Sequence, residues 1–176
     1  MTKKQNDVEQ EKPIILPAII KILALDPATH CGWAINREVY GVWNLTPQRD
    51  ESVGMRLIRF RSKLAEIIQK EHITLVVFER PGGMFKSSII VQSEIQGQIK
   101  TVCLDHGVQY HAFSSTEIKK FATGKGNAKK DMMISCAKML LGYPGKDDNE
   151  ADALWILEKA KHDFCNFEKD ETNIHD

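Results

Sequence analysis

The sequence has no long, unbroken apolar run. The nearest approach lies around residues 14–25, where Pro17 and Lys21 interrupt the apolar side chains. No segment is therefore suited to cross a bilayer as a helix, which needs about 20 consecutive apolar residues. The opening stretch MTKKQNDVEQEKP is polar and lacks the apolar core of a secretory signal. Cysteine is scarce: Cys31, Cys103, Cys136 and Cys165 stand far apart, with no CxxC pair and no cysteine–histidine spacing of a zinc site. Reduced thiols and a cytoplasmic setting are the expectation. Gly124-Lys125-Gly126 lacks the GxxxxGK[ST] spacing of a nucleotide-phosphate loop. No internal repeat occurs. Net charge is missing as well, with 24 basic residues against 24 acidic ones.

What the chain does have is length and unevenly placed charge. Its 176 residues suffice for one domain with a substantial core. Lys119, Lys120, Lys125, Lys129, Lys130 and Lys138 crowd a stretch whose one acid is Asp131. A chain that is neutral overall but basic on one face suits a polyanionic partner there. Arg56, Arg59, Arg61 and Lys63 form a second basic group, expected to be a solvated helix face. From residue 147 onward acids dominate.

Residues 1–17 read as a flexible polar arm and residues 164–176 as a loose acidic tail, leaving 18–163 as the folded domain. IIKILAL (19–25), TLVVF (74–78) and VQYHAF (108–113) are short apolar runs of the kind buried strands show. CGWAINR (31–37) and VYGVWNL (39–45) are rich in β-formers and suit a hairpin or meander. Helices are predicted over 51–71, 87–105, 128–141 and from Asp148 to about Lys161. Ser114 and Glu117 have the spacing of a capping box that opens a short helix through about residue 122. Met132, Met133 and Met139 are expected in the core. His30 is expected at the surface, and Cys31 is expected to be inert. The fold class is α/β, a mixed sheet with helices on its faces.

Two of the buried-looking strands end in a carboxylate, Asp26 and Glu79. In open α/β sheets chemistry gathers at the carboxyl ends of central strands. A third set of acids opens the last helix: Asp147, Asp148, Glu150 and Asp152 run straight into Ala153–Leu157. Acids at a helix N-terminus suit the macrodipole, which accounts for Asp147, Asp148 and Glu150. It accounts poorly for Asp152, one turn in, whose i+3 and i+4 neighbours are Trp155 and Ile156. Asp152 is expected to face the protein, with Asp148 and Asn149 on its side. Converging carboxylates cannot all stay ionised without a counter-charge. A hard divalent cation supplies one, and Mg²⁺ takes oxygen ligands. Two such ions about 4 Å apart activate water and stabilise the leaving oxygen in phosphodiester hydrolysis.

Four stretches, in order, resemble the RuvC family. LALDPATHCGWA (23–34) resembles its opening motif and VVFERP (76–81) its second acidic strand. TEIKKFATGKGNAKKDMM (116–133) resembles its lysine-bearing segment and NEADALWI (149–156) its last helix. The resemblance spans residues 20–160. It implies an RNase H-like five-stranded sheet in the order 3-2-1-4-5, a homodimer, and Mg²⁺-dependent paired nicking of four-way (Holliday) DNA junctions. Two ions per site are implied, with Mn²⁺ as a substitute, and no small-molecule cofactor or membrane. Asp26, Glu79 and Asp152 match the metal-binding catalytic acids. Many members carry the fourth ligand three residues before the last Asp, where this chain has Asn149. Asp148 is the expected replacement, with Asn149 as a neutral alternative. Lys119 and Lys130 align with the junction-contacting lysines, and Lys120 and Lys129 are close enough to exchange roles with them. The loop RPGGMFKSS after Glu79 offers Phe85, or Met84, where members often push an aromatic into the junction; packing under its own loop is the competing role. The helix at 87–105, with Ile89, Ile90, Val91, Ile95 and Ile99, is the candidate dimer face, and sheet packing must share it. Ala28 replaces the common glycine, and the polar arm is an extension. Both features suit the divergent resolvases of phages and mobile elements.

Three other readings share some of these residues. An actin-like ATP-binding protein also opens with a strand, an Asp and a Thr-containing turn, but it needs a second domain. An RNA-processing nuclease of the YqgF group would keep the fold and the acids. A DNA-binding protein without catalysis would have no use for clustered acids, which repel phosphate.

Overall fold

The computed structural model describes residues 20–165 apart from Met84; most of the expected N-terminal arm and acidic tail lies outside the described residues. The strands are β1 (Ile22–Asp26), β2 (His30–Ala34), β3 (Tyr40–Asn44), β4 (Leu75–Glu79) and β5 (Gln109–Phe113). They form one sheet in the order β3-β2-β1-β4-β5, as expected. The tight loops 27–29 and 35–39 make β1, β2 and β3 an antiparallel meander. Helices α1 (Met55–Glu71) and α2 (Lys86–Asp105) return the chain, so β4 and β5 run parallel to β1.

Both faces of the central strands are covered, which is why those strands read as unbroken apolar runs. Leu23, Leu25, Val76 and Phe78 pack beneath α1 and α2 with Phe60, Leu64, Ile68, Ile95 and Ile99. Ile22, Ala24, Leu75 and Val77 face α5 (Asp148–Cys165), joined by α3 (Ser115–Thr123) and α4 (Lys130–Cys136). The predicted capping box is present: the Ser114 hydroxyl accepts the Glu117 N–H, and the Glu117 carboxylate accepts the Ser114 N–H at 2.7 Å. At the other end of α3, Gly124 takes the left-handed conformation (φ 76°) that stops the helix without strain.

Some expectations need correction. The helix predicted over 128–141 is α4 followed by a π-helical turn, Ala137–Leu141. Met133 is buried, but Met132 and Met139 are 39% and 77% exposed. Met133 of α4 and Ala137 of the π-helical turn face α5, where Trp155 Nε1 donates to the Met133 carbonyl at 3.1 Å. Residues 132 and 139 share the opposite, outer face. On α2, Ile95 and Ile99 belong to the core, whereas Ile90 and Leu104 are exposed. The expected dimer face is therefore divided between the sheet and the surface. Of the arginine group, Arg59 pairs with Glu51 and Arg61 with Asp105. Among the described residues no helix is long and apolar enough to cross a membrane.

Candidate active site

Leu25 of β1 stands opposite Phe78 of β4 in parallel register. The next residues, Asp26 and Glu79, therefore emerge side by side at the carboxyl edge of the sheet. Helix α5 lies across β1 and β2, and its first turn arrives at the same edge. Asp147 caps that turn, its carboxylate accepting the Asn149 N–H at 2.9 Å and the Asn149 side-chain amide at 3.0 Å. Glu150 turns away and accepts the Tyr143 hydroxyl at 2.7 Å. Two of the four acids thus serve the helix end. The other two, Asp148 and Asp152, interact with the acids of the strands.

The electrostatics show how tightly these groups are coupled. Burial holds the Asp26 carboxyl well above the usual carboxylate range, and Asp152, Glu79 and Asp148 push it further up. Burial, then Glu79 and Asp148, push Asp152 up to about 7, with Lys130 and Lys119 opposing. Burial also raises Glu79, against a hydrogen bond from Ser115 and the charge of Lys119. Asp148 goes the other way, held below its ordinary value by an ion pair with the Lys130 ammonium. Four carboxylates and two lysines thus share one neighbourhood.

This neighbourhood is not a closed ligand cage. Among the described residues no three Asp, Glu, His or Cys side chains are set to hold one ion. Like charges repel, and Asp148 is turned to Lys130. The donor chemistry nonetheless fits a hard divalent cation: all the donors are carboxylate oxygens, and burial above all holds three of the carboxyls, Asp26, Glu79 and Asp152, above their ordinary range.

The remaining sequence candidates fall around this centre. Lys120 on α3 and Lys129 at the start of α4 are exposed. Phe85, at the start of α2 beyond the loop that follows Glu79, is 72% exposed and so does not pack under its own loop. Met84 lies outside the described residues. His30 is exposed, and the buried Cys31 thiol is raised by desolvation, which leaves it unreactive. Two contributors escaped the sequence reading. Ser115 had a signal, since it follows the β5 strand and the Ser114 cap directly. Tyr143 had little beyond its place before Pro144 and Gly145.

No family model matches the sequence. The crossover junction endodeoxyribonuclease RuvC of Anaeromyxobacter sp. (strain Fw109-5) is 33% identical over 141 residues, covering 75% of this chain and 68% of that relative. The chain belongs to the RuvC family. The RuvC of Oleidesulfovibrio alaskensis is 30% identical over 137 residues, covering 72% of this chain and 80% of its own. Among solved structures, T. thermophilus RuvC in complex with Holliday junction substrate matches with a TM-score of 0.64 at 19% identity, covering 78% of this chain and 90% of that one. The yeast mitochondrial Holliday junction resolvase Ydc2 matches with a TM-score of 0.57 at 12% identity, covering 81% and 78%. These structural likenesses establish the RNase H-like RuvC fold. Within it, the RuvC-family motifs quoted from the sequence carry Asp26, Glu79 and Asp152 into one coupled cluster.

Proposed function

We propose that this RuvC-family chain is a metal-dependent endonuclease that resolves four-way DNA junctions by paired nicking. The observation that carries the reading is the coupled cluster of Asp26, Glu79, Asp148 and Asp152 at the carboxyl edge of β1 and β4. In this reading Asp26, Glu79 and Asp152 hold Mg²⁺, with Mn²⁺ as a substitute, and Asp148 completes the set. Bound divalent ions supply the activated water and the charge that stabilises the leaving oxygen. The electrostatic coupling of Asp148 to Asp26 and Asp152 favours it as the fourth ligand, with the Asn149 side-chain oxygen as the neutral alternative. Lys130 pairs with Asp148 in the DNA-free chain and exchanges that partner for a junction phosphate. Lys119, Lys120 and Lys129 add backbone contacts.

Phe85 is an exposed aromatic at the end of the loop at 80–85, and it stacks on an opened base at the crossover. Such stacking contributes about 1–3 kcal/mol per base. Resolution needs two nicks on opposed strands, so a twofold dimer suits a junction of approximate twofold symmetry. The exposed part of α2, with Ile90 and Leu104, supports that assembly. Ala28 and Asn149 support a place with the phage and mobile-element resolvases, acting in the cytoplasm through the domain at 18–163.

The test is incubation with synthetic four-way, three-way and linear duplex DNA, with and without Mg²⁺. Nicking of the four-way substrate, only with Mg²⁺, is expected. Equal cutting of all three, or of none, contradicts the reading.

A further inference from the structure

Gly32 in β2 is the cross-strand partner of Asp26. A Cβ on Gly32 would lie 2.0 Å from the Asn149 carbonyl oxygen and 2.6 Å from its carbon, with the Ala153 Cβ at 3.3 Å. The first turn of α5 therefore rests directly on the strand backbone, with no side chain between. The residues that make this seat are the immediate successors of the two site acids on the helix: Asn149 follows Asp148, and Ala153 follows Asp152. Any change in the height of the seat moves both carboxylates relative to Asp26. The same turn is tied a second time. The buried Tyr143 donates its hydroxyl hydrogen to Glu150 at 2.7 Å and accepts the Asp147 N–H at 3.1 Å.

We propose that Gly32 and Tyr143 are positioning residues, which set the height of the first turn of α5 over Asp26 and so determine whether Asp148 and Asp152 can share a cation with Asp26 and Glu79. The inference rests on the reading of the cluster as a metal site. A methyl on Gly32 meets a backbone carbonyl, which cannot rotate away as a flexible side chain would. The helix must rise until that separation reaches at least 3.0 Å. A displacement of about 1 Å at a reacting centre costs on the order of 100-fold in rate. Loss of a group that orients metal ligands lowers metal affinity by about 10–100-fold.

The experiment measures Mn²⁺ binding by electron paramagnetic resonance, and junction binding in EDTA by gel shift. It compares the wild-type chain with Gly32→Ala, Tyr143→Phe and the control Asp26→Asn. Asp26→Asn is expected to lose Mn²⁺ binding. Gly32→Ala is expected to keep its far-ultraviolet circular dichroism and metal-free junction affinity while its Mn²⁺ affinity falls at least about tenfold. Excess Mn²⁺ restores part of its nicking. Tyr143→Phe shifts Mn²⁺ affinity in the same direction by less. A folded Gly32→Ala with wild-type Mn²⁺ affinity overturns the proposal. If Gly32→Ala does not fold, Tyr143→Phe decides, and an unchanged Mn²⁺ affinity there overturns it. Undiminished Mn²⁺ binding by Asp26→Asn overturns instead the underlying reading of the cluster.

Discussion

The two faces of the sheet differ in how closely a helix approaches the strands. Beneath α1 and α2 the buried side chains are large, among them Trp43, Phe60, Phe78, Ile95 and Ile99. The α5 side also buries large residues, among them Leu75, Phe113, Leu154 and Ile156, but Ala24 and Ala34 of the sheet and Ala151, Ala153 and Ala160 of α5 stand among them, with Gly32 at the closest contact. Trp155, the bulkiest residue on this second face, is directed elsewhere: it donates to the Met133 carbonyl of α4 and meets the Phe121 ring of α3 edge-on. Burying a large apolar side chain contributes about 1.5–3 kcal/mol. Small residues contribute less, but they let one backbone approach another. Both faces supply stability, and the small residues of the second also set the placement of two carboxylates.

One substitution on each face separates these roles. Phe60→Ala, in the large-residue core, should cost about 3–5 kcal/mol in denaturant titration. Its nicking rate per folded molecule should stay near wild type, and a comparable loss there would erase the distinction. Ala153→Leu, in the small-residue seat, should cost only about 1–3 kcal/mol through overpacking. Single-turnover nicking should nevertheless fall by on the order of 100-fold, because Asp148 and Asp152 lift away from Asp26.

The cluster can also be divided residue by residue. Asp148→Asn should impair nicking severely across a Mg²⁺ titration and Asn149→Ala only mildly; the reverse ranking reassigns the fourth ligand.

In EDTA the acids should make the folded chain sensitive to pH. Asp152 titrates near 3.8 when unfolded and at about 7 when folded. The folded state therefore binds its proton more tightly. The stability this contributes is full below pH 3.8 and is lost as pH rises through about 7. Asp152→Asn should flatten that decline and raise the melting temperature at pH 7 by about 2–4 °C for each 1 kcal/mol of relieved strain. An unchanged slope between pH 4 and 7 would separate Asp152 from the cluster.

The smallest effects belong to the lysines. Lys119→Ala and Lys130→Ala should each weaken junction binding and flatten the log–log salt slope by about 0.9 per lost phosphate contact. Unchanged slopes in both would remove them from the DNA interface.

Much of this arrangement was legible in the sequence. Apolar runs ending in Asp26 and Glu79 marked the central strands, and Ser114 with Glu117 marked a helix start. Asp152 was marked as inward-facing by Trp155 and Ile156 at helical spacing. What escaped was set by tertiary contact. Nothing local distinguishes Met133, which meets α5, from Met132 and Met139, which meet water. The π-helical turn at Ala137–Leu141 carries no motif of its own. Asp152 and Asp148 already stood apart as site candidates among the acids of the last helix, but the tasks of Asp147 and Glu150 beyond the helix dipole emerge only in the structure. Asp147 caps, Glu150 binds Tyr143, and Asp148 with Asp152 completes the cluster. Gly32 was visible only as part of the CGWA motif, since its contact lies with a helix more than a hundred residues away.

The central claim is that the clustered acids hold metal rather than DNA or the fold. Gel-shift titration of a four-way junction in Ca²⁺, with Asp26→Asn, Glu79→Gln and Asp152→Asn beside the wild type, tests it most directly, given that the same preparations are assayed for nicking in Mg²⁺. The account predicts no nicking by any of the three and junction affinity equal to or above wild type, since each lost carboxylate removes a charge that repels phosphate. A large loss of junction affinity in all three would contradict it and assign these acids to the scaffold.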